Sequence, residues 1–453
     1  MADRAGSGNP RRAAVEALLH VHREGGYSHI VWENALETDH LTAADRALAS
    51  RIFWGVIERR LTLDYLMDCY SRVPVKKLQP AVREILRTGL YQLLFMERIP
   101  ASAAVNESVK LTRSMKVGQA SGFVNAVLRA VSRQGMSRIE ALPEGDEKTE
   151  LLYSCPRELT AFWQRAYGVE QALALTQDIN REPIAFFRVD LLHFTQEQWE
   201  DELNRLNIDH RWEDGLPGCL CVSRPQELRG LEPPFRQAYY AQDKASQWCC
   251  AALNVLPGEQ VADVCAAPGG KSLTIAQSMH NEGVLISGDI HEHKCRILRQ
   301  RLQEFGITIS QVVCRDASAP CEDAWKGSFH RVLCDVPCSG LGVIGRKPEI
   351  RYRWREEVDS LPALQLKILE QGAEMVRPGG VLQYSTCTLN PAENEEVAER
   401  FLSAHPEYSP RLLPAALQPL FDAAEREPSH HVTLFPSVHD CDGFFIASFQ
   451  KRN

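Results

Sequence analysis

The stretch Val261 to Ser272, reading Val-Ala-Asp-Val-Cys-Ala-Ala-Pro-Gly-Gly-Lys-Ser, constrains the fold more than any other part of the chain. A short apolar run ends in small residues, a proline and paired glycines, which predicts a buried strand turning sharply into a helix that opens near Lys271. Glycine lets a backbone approach a ligand closely, and the unpaired N–H groups of a helix start offer donors and partial positive charge. Two ligands suit such a turn. One is a nucleoside cofactor of the S-adenosylmethionine type; the other is a triphosphate in a Walker loop, because Cys265 to Ser272 misses G-x-x-x-x-G-K-S only at its first position.

From Tyr240 onward, strand-like and helical segments alternate, the sign of an α/β, Rossmann-like, doubly wound sheet. The strands predicted are Val261–Cys265, Val284–Asp289, Gln311–Arg315, Arg331–Val336 and Val381–Cys387, with Val432–Phe435 and Phe444–Phe449 closing the sheet. In such sheets ligands lie at the carboxyl ends of strands. Asp289 ends the second strand, about where a carboxylate grips ribose hydroxyls, and Asp316 follows the third, where it can accept a proton from an adenine amino group. Taken singly, each acid is equally well a helix N-cap; their placement on successive strands favours the cofactor.

The amino-terminal part reads differently. From Asn9 to about Arg133 the apolar spacing is helical, as in Leu48, Ile52, Phe53 and Val56 or Ile85, Leu86, Leu90 and Leu93. These stripes make an all-α bundle over residues 1–140. It carries 20 Lys/Arg against 14 Asp/Glu, while the remainder carries 31 against 45, so a chain of net charge −8 has a locally basic helical part. A polyanion partner or a solvated helical surface both account for that, and the same choice applies to Arg129 and Arg133. Pro143-Glu-Gly-Asp-Glu reads as a linker to a small α+β element over 141–239, followed by the doubly wound domain over 240–453.

The 14 cysteines are scattered without a framework, and none form paired C-x-x-C knuckles, so a reducing compartment and no metal site are expected. Met1 to Gly8 lacks the apolar core of a leader, and no run of apolar residues is long enough to span a bilayer. A cytoplasmic protein without membrane contact is expected.

Two cysteines stand apart. Asp335-Val-Pro-Cys338 ends the fourth strand and Tyr384-Ser-Thr-Cys387 ends the fifth, so each thiol sits where a nucleophile is presented. After Cys338 come Arg346, Lys347, Arg351, Tyr352, Arg353, Trp354 and Arg355, a run suited to a phosphate backbone and an unstacked base. An aromatic helix start packed on its own domain is the other reading.

These residues together resemble the RNA cytosine-5 methyltransferases of the NOL/NOP/Sun group. The likeness is carried by Cys265-Ala266-Ala267-Pro268-Gly269-Gly270-Lys271, by Asp289 and Asp316, by Asp335 to Cys338 and by Ser385-Thr-Cys387. It extends to Ala241-Gln-Asp-Lys-Ala-Ser-Gln and Asp442-Gly-Phe-Phe-Ile-Ala, and the helical part is similar to a NusB-like RNA-binding domain. Val336 and Ser272 depart from the commoner alanine and threonine without removing a needed group. The resemblance implies S-adenosyl-L-methionine over residues 265–271, with Asp289 on its ribose and Asp316 near its adenine. It further implies Cys387 as the nucleophile toward C6 of cytosine, Asp335 on the base's N3/N4 edge and beside the cofactor, and Cys338 aiding release. The implied partner is small-subunit (16S) ribosomal RNA with an unstacked cytosine, the implied role rRNA processing, and a monomer is favoured. Against it stand a P-loop-like NTPase, disfavoured by Cys265, and a catalytically silent RNA-binding assembly factor, disfavoured by the intact Asp335, Cys338 and Cys387.

Overall fold

The computed structural model describes residues 8–24, 32, 41–356 and 358–453. The reading of Met1 to Ser7 as lacking a leader lies outside the described residues. Contacts divide the chain into two compact units: residues up to Arg181 together with Arg346–Arg353, and Glu182–Gly345 together with Trp354–Asn453.

The first unit is helical. Helices Pro10–Glu24, Ala43–Glu58, Arg60–Tyr70, Pro80–Phe95, Ala101–Ser114 and Ser121–Gln134 follow the apolar spacing. Thr42 accepts a hydrogen bond from the Asp45 amide at one start, and Pro80 opens another where its missing N–H costs nothing. The stripes meet in one core that includes Ile52, Phe53, Leu63, Ile85, Leu86, Leu90, Val124, Leu128 and Val131, while Arg129 and Arg133 stay exposed. Helices Asp146–Tyr153, Arg157–Tyr167 and Val169–Asp178 belong to this unit as well. The partition therefore differs from one drawn at the polar stretch near Pro143, because the helices after that stretch pack back onto the bundle.

The segment 346–353 corrects one sequence expectation. Arg351, read as a phosphate ligand, has no exposed surface. Its Nη1 donates to the Glu58 carbonyl at 3.0 Å and to Asn180 Oδ1 at 2.9 Å, with the Ser154 carbonyl at 3.4 Å, and its Nη2 donates to the Ile179 carbonyl at 3.0 Å. Those carbonyls belong to the ends of three helices, where unpaired oxygens and the negative pole of the helix dipole gather. One guanidinium serves all three. Tyr352 donates its hydroxyl to the Ile57 carbonyl at 3.1 Å, and Arg60 lies over its ring at 3.6 Å. Arg351→Ala is expected to lower the unfolding free energy of this unit by about 2 to 4 kcal/mol, since three buried carbonyls lose a charged donor. Urea denaturation followed by circular dichroism measures it; a loss below about 1 kcal/mol would mean that water replaces the guanidinium.

The second unit holds two sheets. β1 (Phe186–Val189), β2 (His210–Trp212), β3 (Cys219–Val222) and β4 (Tyr239–Ala241) form an antiparallel sheet in the order β2-β3-β1-β4. β2 and β4 were not foreseen; each is only three residues long, too short to show alternation. The large sheet contains β5 (Gln260–Asp263), β6 (Val284–Asp289), β7 (Ser310–Cys314), β8 (Phe329–Asp335), β9 (Val376–Thr386), β10 (Tyr408–Pro410), β11 (His431–Leu434) and β12 (Phe444–Lys451). Its order is β10-β12-β9-β8-β5-β6-β7, with β11 paired to β12. The five strands from β9 to β7 run parallel and the rest antiparallel. Successive residues of a strand face opposite sides, and the cores show it: Val261, Leu285 and Leu333 pack on one face, Ala262, Ile286 and Val332 on the other. Helices Gly270–Ser278, Glu292–Glu304 and Leu361–Met375 make the crossovers. The order reverses between β5 and β8, so the carboxyl ends of β5, β6, β7, β8 and β9 surround a switch point.

Candidate active site

Gly269 caps the start of helix Gly270–Ser278 with φ +107°, and a Cβ there would come 2.6 Å from Leu298 Cδ1. Only glycine allows this turn, and it leaves the helix's first amides without side-chain caps, open toward a ligand. Around the turn, Asp289 at the end of β6 accepts one hydrogen bond from the His291 amide at 3.0 Å, leaving lone pairs for hydroxyl donors. Asp316 lies just past β7, the strand paired with β6; its Oδ1 accepts from the amide and hydroxyl of Ser318, both at 2.8 Å. Those bonds hold its carboxyl below the usual range, so it meets a ligand as an acceptor. Gln242 is almost fully buried beside Gly270; its Oε1 is taken by Thr274 at 2.7 Å, while its Nε2 has no protein partner. Two acids with spare acceptor capacity, a glycine cradle and an unspent amide donor fit a nucleoside cofactor.

The same geometry disposes of the Walker reading. Lys271 Nζ pairs with Asp335 Oδ2 at 2.8 Å, and Ser272 Oγ donates to Asp263 Oδ2 at 2.7 Å. The two groups that a P-loop spends on phosphate and Mg²⁺ are thus both engaged with carboxylates. Burial pushes the Asp263 carboxyl up to about 7 despite the Ser272 bond.

The other half of the candidate site lies at β8 and β9, hydrogen-bonded neighbours in the register Asp335↔Ser385. Ser385 Oγ donates to Asp335 Oδ1 at 2.8 Å, so Asp335 is held from both sides, by a hydroxyl and by Lys271. Burial disfavours the Lys271 charge, and the Asp335 carboxylate outweighs that, leaving the lysine more basic than usual. Lys271, grouped with the cofactor loop in the sequence, is placed by its side chain with Asp335. Cys338 and Cys387, each half-buried, bring their sulfurs to 3.3 Å. Gly342 donates its amide to the Cys387 carbonyl at 3.1 Å and accepts from the Gly443 amide at 2.9 Å; a Cβ on Gly342 would stand 1.9 Å from the Gly443 oxygen.

Sequence reasoning missed Glu393. It has no exposed surface, yet its carboxylate receives the Ser339 amide at 2.9 Å, the Ser339 hydroxyl, Gln365 Nε2 at 2.8 Å and Asn390 Nδ2 at 2.8 Å. Gln365 Nε2 also donates to the Pro337 carbonyl at 2.9 Å, and Ser339 Oγ lies 2.7 Å from Thr388 Oγ1. The turn carrying Cys338 and the turn carrying Cys387 are therefore pinned to one carboxylate. In the sequence Asn390-Pro-Ala-Glu393-Asn-Glu looks like a polar surface turn, and no local pattern shows that Glu393 faces inward. A second unforeseen cluster is Glu292, Cys295 and Cys314, whose ligand atoms lie within 4.8 Å of one another. The buried Cys295 thiol there already donates to the Asp289 carbonyl at 3.4 Å.

Two family models match the chain: one described as 16S rRNA methyltransferase RsmB/F over residues 250–450, the other as the NusB family over residues 8–133. With the doubly wound sheet and its cofactor turn, these define an S-adenosylmethionine-dependent RNA methyltransferase with a NusB-like domain. The probable ribosomal RNA small subunit methyltransferase B of Bacillus subtilis is 31% identical over 98% of each chain, and that of Synechocystis is 33% identical over 97% of this chain and 99% of its own. The crystal structure of PH0851 superposes with a TM-score of 0.77 at 25% identity, covering 98% of both chains. The chain belongs to the ribosomal RNA small subunit methyltransferase B family. No helix among the described residues is long and apolar enough to cross a membrane.

Proposed function

We propose that the protein transfers a methyl group to C5 of a cytosine in 16S ribosomal RNA through a covalent adduct between Cys387 and C6 of the base. The observation that carries this reading is the pair of sulfurs 3.3 Å apart beside the Lys271–Asp335 ion pair. S-adenosylmethionine supplies the electrophilic methyl group. Aromatic C5 is a poor nucleophile, and addition of the Cys387 thiolate to C6 makes it electron-rich enough to take that methyl. The Asp335 carboxylate, kept in place by Ser385 and Lys271, has lone pairs left to accept the N4 amino proton. Loss of the C5 proton then expels the Cys387 sulfur, and Cys338 lies next to that sulfur. The carbon–sulfur bond that formed is the one that breaks, the C5 proton passes to solvent water, and the Cys387 thiolate is regenerated.

Both faces of the ring must be open to a thiol and a methyl donor, so the target is an unstacked nucleotide. The basic helical unit supplies affinity and placement on the RNA, in a cytoplasmic setting. Mapping 5-methylcytosine on 16S rRNA from cells with and without the gene tests the reading. One cytosine is expected to lose its methyl group in the deletion strain and regain it from the purified protein with S-adenosylmethionine. A methyl group restored to another base, or to a cytosine atom other than C5, would overturn it.

A further inference from the structure

Two thiols in contact share one hydrogen bond, and either can be the donor. A nucleophile must be the acceptor, carrying the negative charge, so something has to set the direction of that bond. The turn carrying Cys338 is hydrogen-bonded to a buried acid. Glu393 receives four donors, an arrangement that suits the carboxylate anion. Two of those donors belong to Ser339, the residue next to Cys338.

We propose that Glu393 is a positioning residue that divides the work between the two cysteines: its buried charge beside Cys338 keeps the proton there, so Cys338 donates its S–H and Cys387 accepts as the nucleophile. This rests on the covalent mechanism proposed above. The Cys338 thiol is held well above its ordinary pKa by the hydrogen bond with Cys387, by burial and by the charges of Cys387 and Glu393, against one backbone bond from Gly340 that lowers it. Other titratable groups at these strand ends include the Tyr384 hydroxyl, which donates to the Glu393 carbonyl, and the Asp335–Lys271 pair. Asp335 and Lys271 oppose each other in charge; Glu393 has no cation among its hydrogen-bond partners, so it breaks the symmetry.

The test is alkylation of the full-length protein by iodoacetamide between about pH 6 and 9, with Cys338 and Cys387 quantified separately by peptide mass spectrometry. The wild type is expected to label faster at Cys387. Glu393→Gln should raise Cys338 labelling about tenfold and bring the two rates together. Glu393→Asp keeps the charge and is expected to keep the wild-type ratio even where its melting temperature falls. Gln365→Met loosens the same turn without touching the charge, and should leave the ratio unchanged.

An unchanged ratio in Glu393→Gln, or an equal change in Gln365→Met, overturns the proposal. Should Glu393→Gln not fold, a collapsed ratio in Glu393→Asp overturns it equally, and a preserved ratio supports it. Failure of the underlying mechanism looks different. In that case Cys387→Ala still transfers methyl groups, whatever the labelling ratio does.

Discussion

Cys387→Ala protein is expected to bind S-adenosylmethionine as the wild type does and to lose methyl transfer by at least about three orders of magnitude, the scale on which removal of a covalent nucleophile acts. The expectation follows from geometry. Cys387 follows directly on β9, one strand beyond Asp335 on β8, while the cofactor turn follows β5 on the other side of β8. The substitution therefore removes a sulfur at the chemical half of the site and leaves Gly269, Asp289 and Asp316 untouched. A half-buried position tolerates the smaller side chain, and the backbone bond from the Gly342 amide to residue 387 does not depend on the thiol. Transfer of labelled methyl to 16S rRNA gives the rate, and calorimetric titration with S-adenosylmethionine gives the cofactor affinity. Retained turnover at normal affinity would remove Cys387 from the nucleophile's role.

Cys338→Ala is expected to do the opposite of silencing the chemistry: addition and methyl transfer proceed, release stalls, and RNA stays attached to the protein. The sulfur of Cys338 lies next to the Cys387 sulfur, which on the proposed mechanism leaves the base, and the Cys338 turn is held in place through Ser339, Glu393 and Gln365. Alanine in its place removes the sulfur that contacts Cys387. The adduct should run as a retarded, protease-sensitive band on a denaturing gel, at or near one RNA per protein. The double variant with Cys387→Ala should show no band. A band that persists in the double variant would mean that a third residue forms the bond; its appearance with Cys387→Ala alone would exchange the two roles.

Much of the catalytic unit is legible along the chain because its information is local. The run Val284–Asp289 opens with three apolar residues and ends at an acid, and the strand observed has those bounds. Paired glycines before Lys271 predict a turn into a helix, and Gly269 takes the left-handed conformation that no other residue adopts cheaply. Short elements were lost for the same reason: β2, β4 and β10 span three residues each, less than two periods of the strand repeat, and pattern cannot distinguish them from loop. The run from Arg346 to Arg355 shows the converse limit at one residue, Arg351. Its composition suited RNA, but composition does not say that three helix ends converge on Arg351 and offer it their carbonyls.

The turn at Val261–Ser272, the alternating strands and the placement of Asp289, Asp316, Asp335, Cys338 and Cys387 at strand ends are properties of local sequence, since periodicity and turn chemistry act over a few residues. The pairing of side chains is not. Cys338 meets Cys387 across 49 positions, Glu393 meets Ser339 across 54, and Lys271 leaves the phosphate-like loop to hold Asp335. Strand order alone decides those meetings, because β8 lies between β5 and β9, and a residue's spacing in the chain carries no trace of which strand will become its neighbour.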